Sequence, residues 1–197
     1  MAHLRPFAYP ADSRRLSFVV ASDSDVIVRR AVLGDARAMC VLSVAAITEL
    51  GIPHYTDGQL AAWAARRTTA SHESMVRHTA VFVAVSGGSR TDRSPLLGFS
   101  SVALSPLAGL VAGEVDQLFV APAAAGRGIA RLLLAAVEEA ALAARLGELV
   151  THASWRAVPV FESCGFHRVA DEAVDVDGQV LTRSLMRKRL DARHPQE

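Results

Sequence analysis

Apolar residues recur along this chain with two distinct periods. Val26 to Arg30 is a short β-branched run, and Asp35 just after it can accept from the exposed N–H groups of a starting helix. Ala36, Met39, Cys40, Ser43, Val44 and Ile47 then fall at three- and four-residue spacing up to Gly51 and Pro53, which predicts a helix. Thr56 with Gln59 has the form of a capping box and predicts a second helix across Leu60, Trp63 and Ala64. Ala80 to Val85 is a continuous apolar run of strand type, and a flexible, solvated turn region over 86–95 leads into another strand near 97–104. A third strand is expected over 111–120, stopped by Ala121-Pro122. From Arg127 a long helix follows, with Ile129, Leu132, Leu133, Ala136, Val137 and Ala140 on one apolar face. A strand over 148–154 and a short helix over 158–164, closed by Gly165, come next. Two strands, 169–176 and 180–187, then flank Asp177-Gly178, a strong tight-hairpin signal.

The expected order is β-α-α-β-β-β-α-β-α-β-β. Hairpins at both ends of a central strand–helix–strand unit predict an α/β fold with a mixed sheet. No repeat and no linker breaks the chain, so one domain is expected over 26–190. Residues 1–25 read as a flexible extension and 191–197 as a tail.

Composition narrows the partners. Of the 197 residues 51% are hydrophobic, enough for one buried core, and 21 Lys and Arg against 20 Asp and Glu leave a net charge of +1. Such a balance offers no field to select nucleic acid or an anionic membrane, so any anion must be held locally. Arg187-Lys188-Arg189 reads as a solvated strand end. Cys40 and Cys164 lie far apart without metal-ligand spacing, so neither a disulfide framework nor a metal site is expected. With no long apolar run, a cytoplasmic protein is the expectation. A homodimer is plausible without being derivable.

The segment that carries chemistry runs from Glu114 through Asp116 to Gly126-Arg127-Gly128-Ile129-Ala130, a strand feeding a glycine-containing loop that opens the long helix. Two glycines and the unpaired N–H groups of a first helical turn suit an anion, and Arg127 can add charge. The same glycines would serve a plain strand–turn–helix connection. A dinucleotide site would want a third glycine and a P-loop would want Gly-Lys-Ser/Thr; neither is present.

The run Asp116 to Pro122, then Gly126 to Ala130, the apolar helix, Ala153-Ser154, and Phe161 to Phe166 resembles the GCN5-related N-acetyltransferase (GNAT) superfamily in order and spacing over roughly 26–190. The resemblance implies a mostly antiparallel central sheet flanked by helices, with a V-shaped opening between the two central strands. It implies acetyl-coenzyme A as co-substrate, with its pantetheine arm along Leu118, Phe119 and Val120 and its pyrophosphate on the backbone from Arg127 to Arg131. Ser154 and Phe161 are further cofactor contacts on this basis, although Ser154, like Cys164, also reads as a structural residue. The family's usual side chain at Ala125 is missing, Arg156 stands where an asparagine is common, and Phe161 where a tyrosine commonly acts as general acid.

The activity implied is direct acetyl transfer to a primary amine, on a small molecule. Leu118 N–H is a candidate to polarise the thioester carbonyl. Glu114 and Asp116 alternate onto one strand face and are candidate bases, with Glu114 favoured; solvation of that face is the alternative. His152 can face the cleft or serve structure. His54, Tyr55 and Trp63 are candidates for the acceptor pocket, or else pack the helix pair onto the sheet. Phe161 and Ala125 also leave room for a different class, an inactive acyl-coenzyme A sensor or scaffold.

Overall fold

The computed structural model describes residues 18–19, 26–87, 95–107 and 109–191. Its elements are β1 (Phe18–Val19), β2 (Val26–Arg30), α1 (Ala36–Leu50), α2 (Asp57–Ala65), α3 (Thr69–His78), β3 (Ala80–Ser86), β4 (Leu96–Val102), β5 (Val115–Val120), α4 (Ile129–Ala143), β6 (Glu148–Ser154), α5 (Val158–Ser163), β7 (His167–Val176) and β8 (Gln179–Arg189). Strands β1 to β5 form one antiparallel sheet in that order, and β6-β8-β7 form a second. Within the stretch expected to be a flexible extension, Phe18–Val19 pair with β2. The rest of 1–25, the turn at 88–94 and the tail at 192–197 lie outside the described residues.

The apolar run of β3 is unbroken because helices cover both its faces. Phe82 and Ala84 join a core built around α4, while Val81, Val83 and Val85 face Met39 of α1 and Met75 of α3. A third cluster docks the hairpin on the helices: Ile47 and Leu60 meet Val176 and Leu181. Asp177 and Gly178 both have positive φ, 52° and 80°, as a two-residue turn of this kind requires. Arg66 reaches Asp177 at 3.0 Å and ties α2 to the hairpin tip.

Four expectations need correction. A third helix, α3, lies between α2 and β3; its signal is the Thr68–Ser71 cap, and only His72 and Met75 are buried on it. Asp35 does not cap α1; its carboxylate takes two bonds from Arg29, each 2.8 Å, and one from Val32 N–H. Helix α4 starts at Ile129 rather than Arg127, with Gly128 before it at φ 77°. Strand β5 starts at Val115 rather than 111, since Gly113 turns the chain at φ 85°.

That turn makes the junction between the sheets. Val150 N–H donates to Gly113 O at 3.0 Å, and Glu114 and Val150 form a lone parallel bridge. A Cβ on Gly113 would lie 2.4 Å from Glu148 O, so only glycine allows this approach. One step on, Thr151 Oγ1 rather than a backbone N–H donates to Val115 O, at 2.9 Å. The ladder stops there, and the strands diverge into the expected V.

Candidate active site

Two cavities flank the diverging strands. The first, about 300 Å³, runs from Leu118, Phe119 and Val120 on β5 to the loop before α4 and across to Ser154 and Ala157. Strand β5 is the edge of its sheet, so its main chain from Leu118 onward faces the opening without a neighbouring strand. At the loop, no backbone acceptor among the described residues takes the N–H groups of Gly126, Gly128, Ile129, Ala130 or Arg131. Five donors at a helix N-terminus make a cradle for an anion. Residues Gly126, Gly128, Ile129, Ala130 and Arg131 line this cavity, as does Arg156, whereas the Arg127 side chain points to solvent and does not.

The second cavity, about 250 Å³, lies between α2, β5, β6 and the β7–β8 hairpin. It shares Trp63, Leu118, Phe119, Ser154 and Ala157 with the first, so the two are halves of one slot. Tyr55 and Trp63 line it, meeting edge-on at 5.8 Å. His54 is exposed and lines neither. Tyr55 both packs and pins: its hydroxyl donates to Thr182 O at 2.8 Å and accepts from Trp155 N–H at 3.1 Å. Burial pushes that phenol's pKa up, and its proton is engaged. Phe161 also borders this cavity but is buried, stacked edge-on against Phe166 at 5.0 Å.

Of the two candidate carboxylates, the structure brings one to the wall. Asp116 lines the second cavity. Glu114 is buried, 8% exposed, with Oε2 accepting from Val111 N–H at 3.0 Å. Its other oxygen lies 3.9 Å from Nε2 of His152, which does line the cavity. Behind His152, Glu172 Oε2 accepts from Nδ1 at 2.8 Å and from Arg183 Nε at 3.1 Å. Desolvation raises the Glu172 pKa, but the bonds and charges of His152 and Arg183 outweigh it and hold the carboxyl below its ordinary value. An ionised Glu172 only accepts, so Nδ1 carries the proton and, in the neutral ring, Nε2 keeps its lone pair.

This imidazole with its carboxylate partner is more than the sequence reading of His152 anticipated. The two-residue spacing to Ser154 was the available signal, since both share a strand face; Glu172, on another strand, gave none. Arg67, Gln117 and Arg183 also line the cavity and were missed.

A split sheet with a helix-opening anion cradle on one side of the split and an acid–base cluster on the other defines an acyl-transfer enzyme of the GNAT type. The Acetyltransferase (GNAT) domain family matches residues 52–190, and the chain belongs to it as an N-acetyltransferase. YafP, an uncharacterized N-acetyltransferase of Escherichia coli strain K12, is 28% identical over 164 residues, which is 83% of this chain and 96% of YafP. A GCN5-related N-acetyltransferase from Rhodopseudomonas palustris superposes with a TM-score of 0.72 at 26% identity, covering 88% of this chain and 99% of that one. YncA of Salmonella typhimurium, whose structure holds its cofactor acetyl-CoA, has a TM-score of 0.62 at 19% identity, over 88% of this chain and 99% of its own.

Proposed function

We propose that the chain moves an acetyl group from acetyl-CoA directly to a primary amine on a small molecule, the cofactor entering by the first cavity and the amine by the second. The observation that carries this is the shared wall of Leu118, Phe119, Ser154 and Ala157, where two differently built cavities meet. The bare N–H groups from Gly126 to Arg131 suit a pyrophosphate, and the free edge of β5 suits an amide-containing arm laid down as an added strand. The acetyl-CoA bound by YncA is consistent with this reading.

When bound, acetyl-CoA supplies a thioester whose acyl carbon can take an amine lone pair and whose sulfur can leave with the C–S electrons. The protein's residues handle the protons. His152 Nε2, oriented by Glu172, and Asp116 are the groups on the acceptor wall able to take the amine's proton; buried Glu114, 3.9 Å from that same Nε2, favours the charge the ring would gain. The Leu118 backbone is the candidate for polarising the carbonyl. Phe161 has no proton to give and Tyr55 has its own engaged, which leaves Ser154 at the meeting point, or solvent, to protonate the thiolate.

The test is calorimetric titration with acetyl-CoA on wild type and Gly128→Glu, then thiol release against a panel of amines. Binding in wild type, loss in the mutant, and release with at least one amine are expected. A correctly folded wild type that does not bind acetyl-CoA sinks the reading.

A further inference from the structure

Most charges around the second cavity are already neutralised within the protein. Arg66 is held by Asp177 at 3.0 Å, and Arg183 and His152 share Glu172. One cation and one anion are left on the wall. Arg67, just after α2, is half-buried and makes no ion pair among the described residues; its Nε is shielded from solvent with no hydrogen-bond partner. Burial pushes the guanidinium below its ordinary pKa, opposed by the charge of Asp116. Asp116 lines the same cavity as Arg67, yet no ion pair or hydrogen bond joins the two. The nearest donor recorded for Asp116 is Gln117 Nε2 at 3.4 Å, and Gln117 Oε1 is itself shielded and unpartnered.

The half-buried guanidinium, with its Nε shielded, is left to be met by what enters the cavity, while Asp116, exposed to solvent on the same wall, is free to meet a cation there. A half-buried guanidinium without a partner is costly, and its fork matches the two oxygens of a carboxylate. A polyamine would bring only positive charge and leave Arg67, the cation without an ion pair on this wall among the described residues, unmet. We propose that the acceptor is an amine that also carries a carboxylate, of the amino acid class, with Arg67 binding the carboxylate and Asp116 with Gln117 Oε1 binding the amine end. This rests on the acyl-transfer reading above and names its substrate class.

The test sets the common amino acids, β-alanine and γ-aminobutyrate each beside its carboxamide, with spermidine added, in a thiol-release assay with acetyl-CoA. For at least one acid, kcat/KM should exceed that of its amide by about ten- to hundredfold. Arg67→Gln should bring that acid down to the amide's level, with Arg67→Lys intermediate. Calorimetry with the matching N-acetyl amino acid reads the same contact without turnover, and its Kd should weaken about tenfold in Arg67→Gln. Amides or spermidine used as well as acids, or acids indifferent to Arg67→Gln, would overturn the proposal. So would a wild type that binds acetyl-CoA but turns over no acid, with acyl transfer left standing. A folded wild type that fails to bind acetyl-CoA would instead remove the reading beneath it.

Discussion

His72 shows how an ionisable residue can serve the fold alone. It is fully buried on α3, with Nδ1 2.7 Å from Thr68 O and Nε2 3.4 Å from Ser43 Oγ. Burial, helped by the Arg67 charge, outweighs the Thr68 carbonyl and Asp116 and holds its pKa below 6.5. A depressed pKa means that the unfolded chain binds the proton first. The stabilisation is therefore complete above 6.5 and is lost as pH falls through the folded value. Urea midpoints should drop between about pH 7.5 and about pH 5, and His72→Gln should flatten that slope. Asp35 and Glu172, also depressed, lose their contributions only below their ordinary values of 3.8 and 4.5, outside this window. His152 is the contrasting case, lining a cavity with a carboxylate behind it. Acting as base, it should lose about 100-fold in kcat on His152→Gln, with acetyl-CoA affinity unchanged by calorimetry. An unchanged kcat would leave Asp116 as the base.

At the scale of elements, what could be read from sequence was what local pattern encodes. The capping box at Thr56, the apolar face of α4 and the Asp177-Gly178 turn each act within a few residues, and each was legible. Helix α3 was not, because its inward side is only His72 and Met75 and its signal lay in the Thr68–Ser71 cap alone. The placing of Glu114 failed for a different reason. Alternation assumes a regular strand, and a bulge breaks the parity: Ser101 pairs with Gln117 and Val102 with Val115, so Asp116 is the extra residue and lines the cavity, while Glu114, between it and the positive-φ turn at Gly113, is buried. That turn is testable. A Cβ at Gly113 meets both a left-handed backbone and the Glu148 carbonyl at 2.4 Å, whereas Gly109 has a similar φ of 84° and nothing within 4 Å. Gly113→Ala should destabilise by about 2–4 kcal/mol and Gly109→Ala by only about 1 kcal/mol in denaturant melts. Equal losses would mean that the approach of β6 at the junction does not matter to stability.

The whole molecule is two sheets joined at one corner, and function and stability meet in the gap between them. Beyond Gly113 and Thr151 no backbone ladder crosses from β5 to β6 among the described residues, and the halves are held by the core under α4 and α5 and by the hairpin packed on α1 and α2. Nothing local in the sequence records this gap, since it depends on where two strands distant in the chain stop pairing; the family resemblance supplied it. A ligand lying along Leu118 to Val120, with its anion on the Gly126–Arg131 turn and its far wall at Ser154 and Ala157, touches both halves and binds only the folded state. At about 100 times its Kd such a ligand adds about 2.7 kcal/mol, which for a chain of this size raises Tm by about 5–10 °C. Gly128→Glu isolates the cause. A Cβ there meets no atom within 4 Å, so the main cost to the apo fold is the strain of φ 77°, about 1 kcal/mol, while the added carboxylate takes the anion's place on the bare N–H groups. The mutant should therefore melt within a few degrees of apo wild type and gain nothing from acetyl-CoA. A mutant that still gains the full shift would mean that the pyrophosphate is not held at this turn.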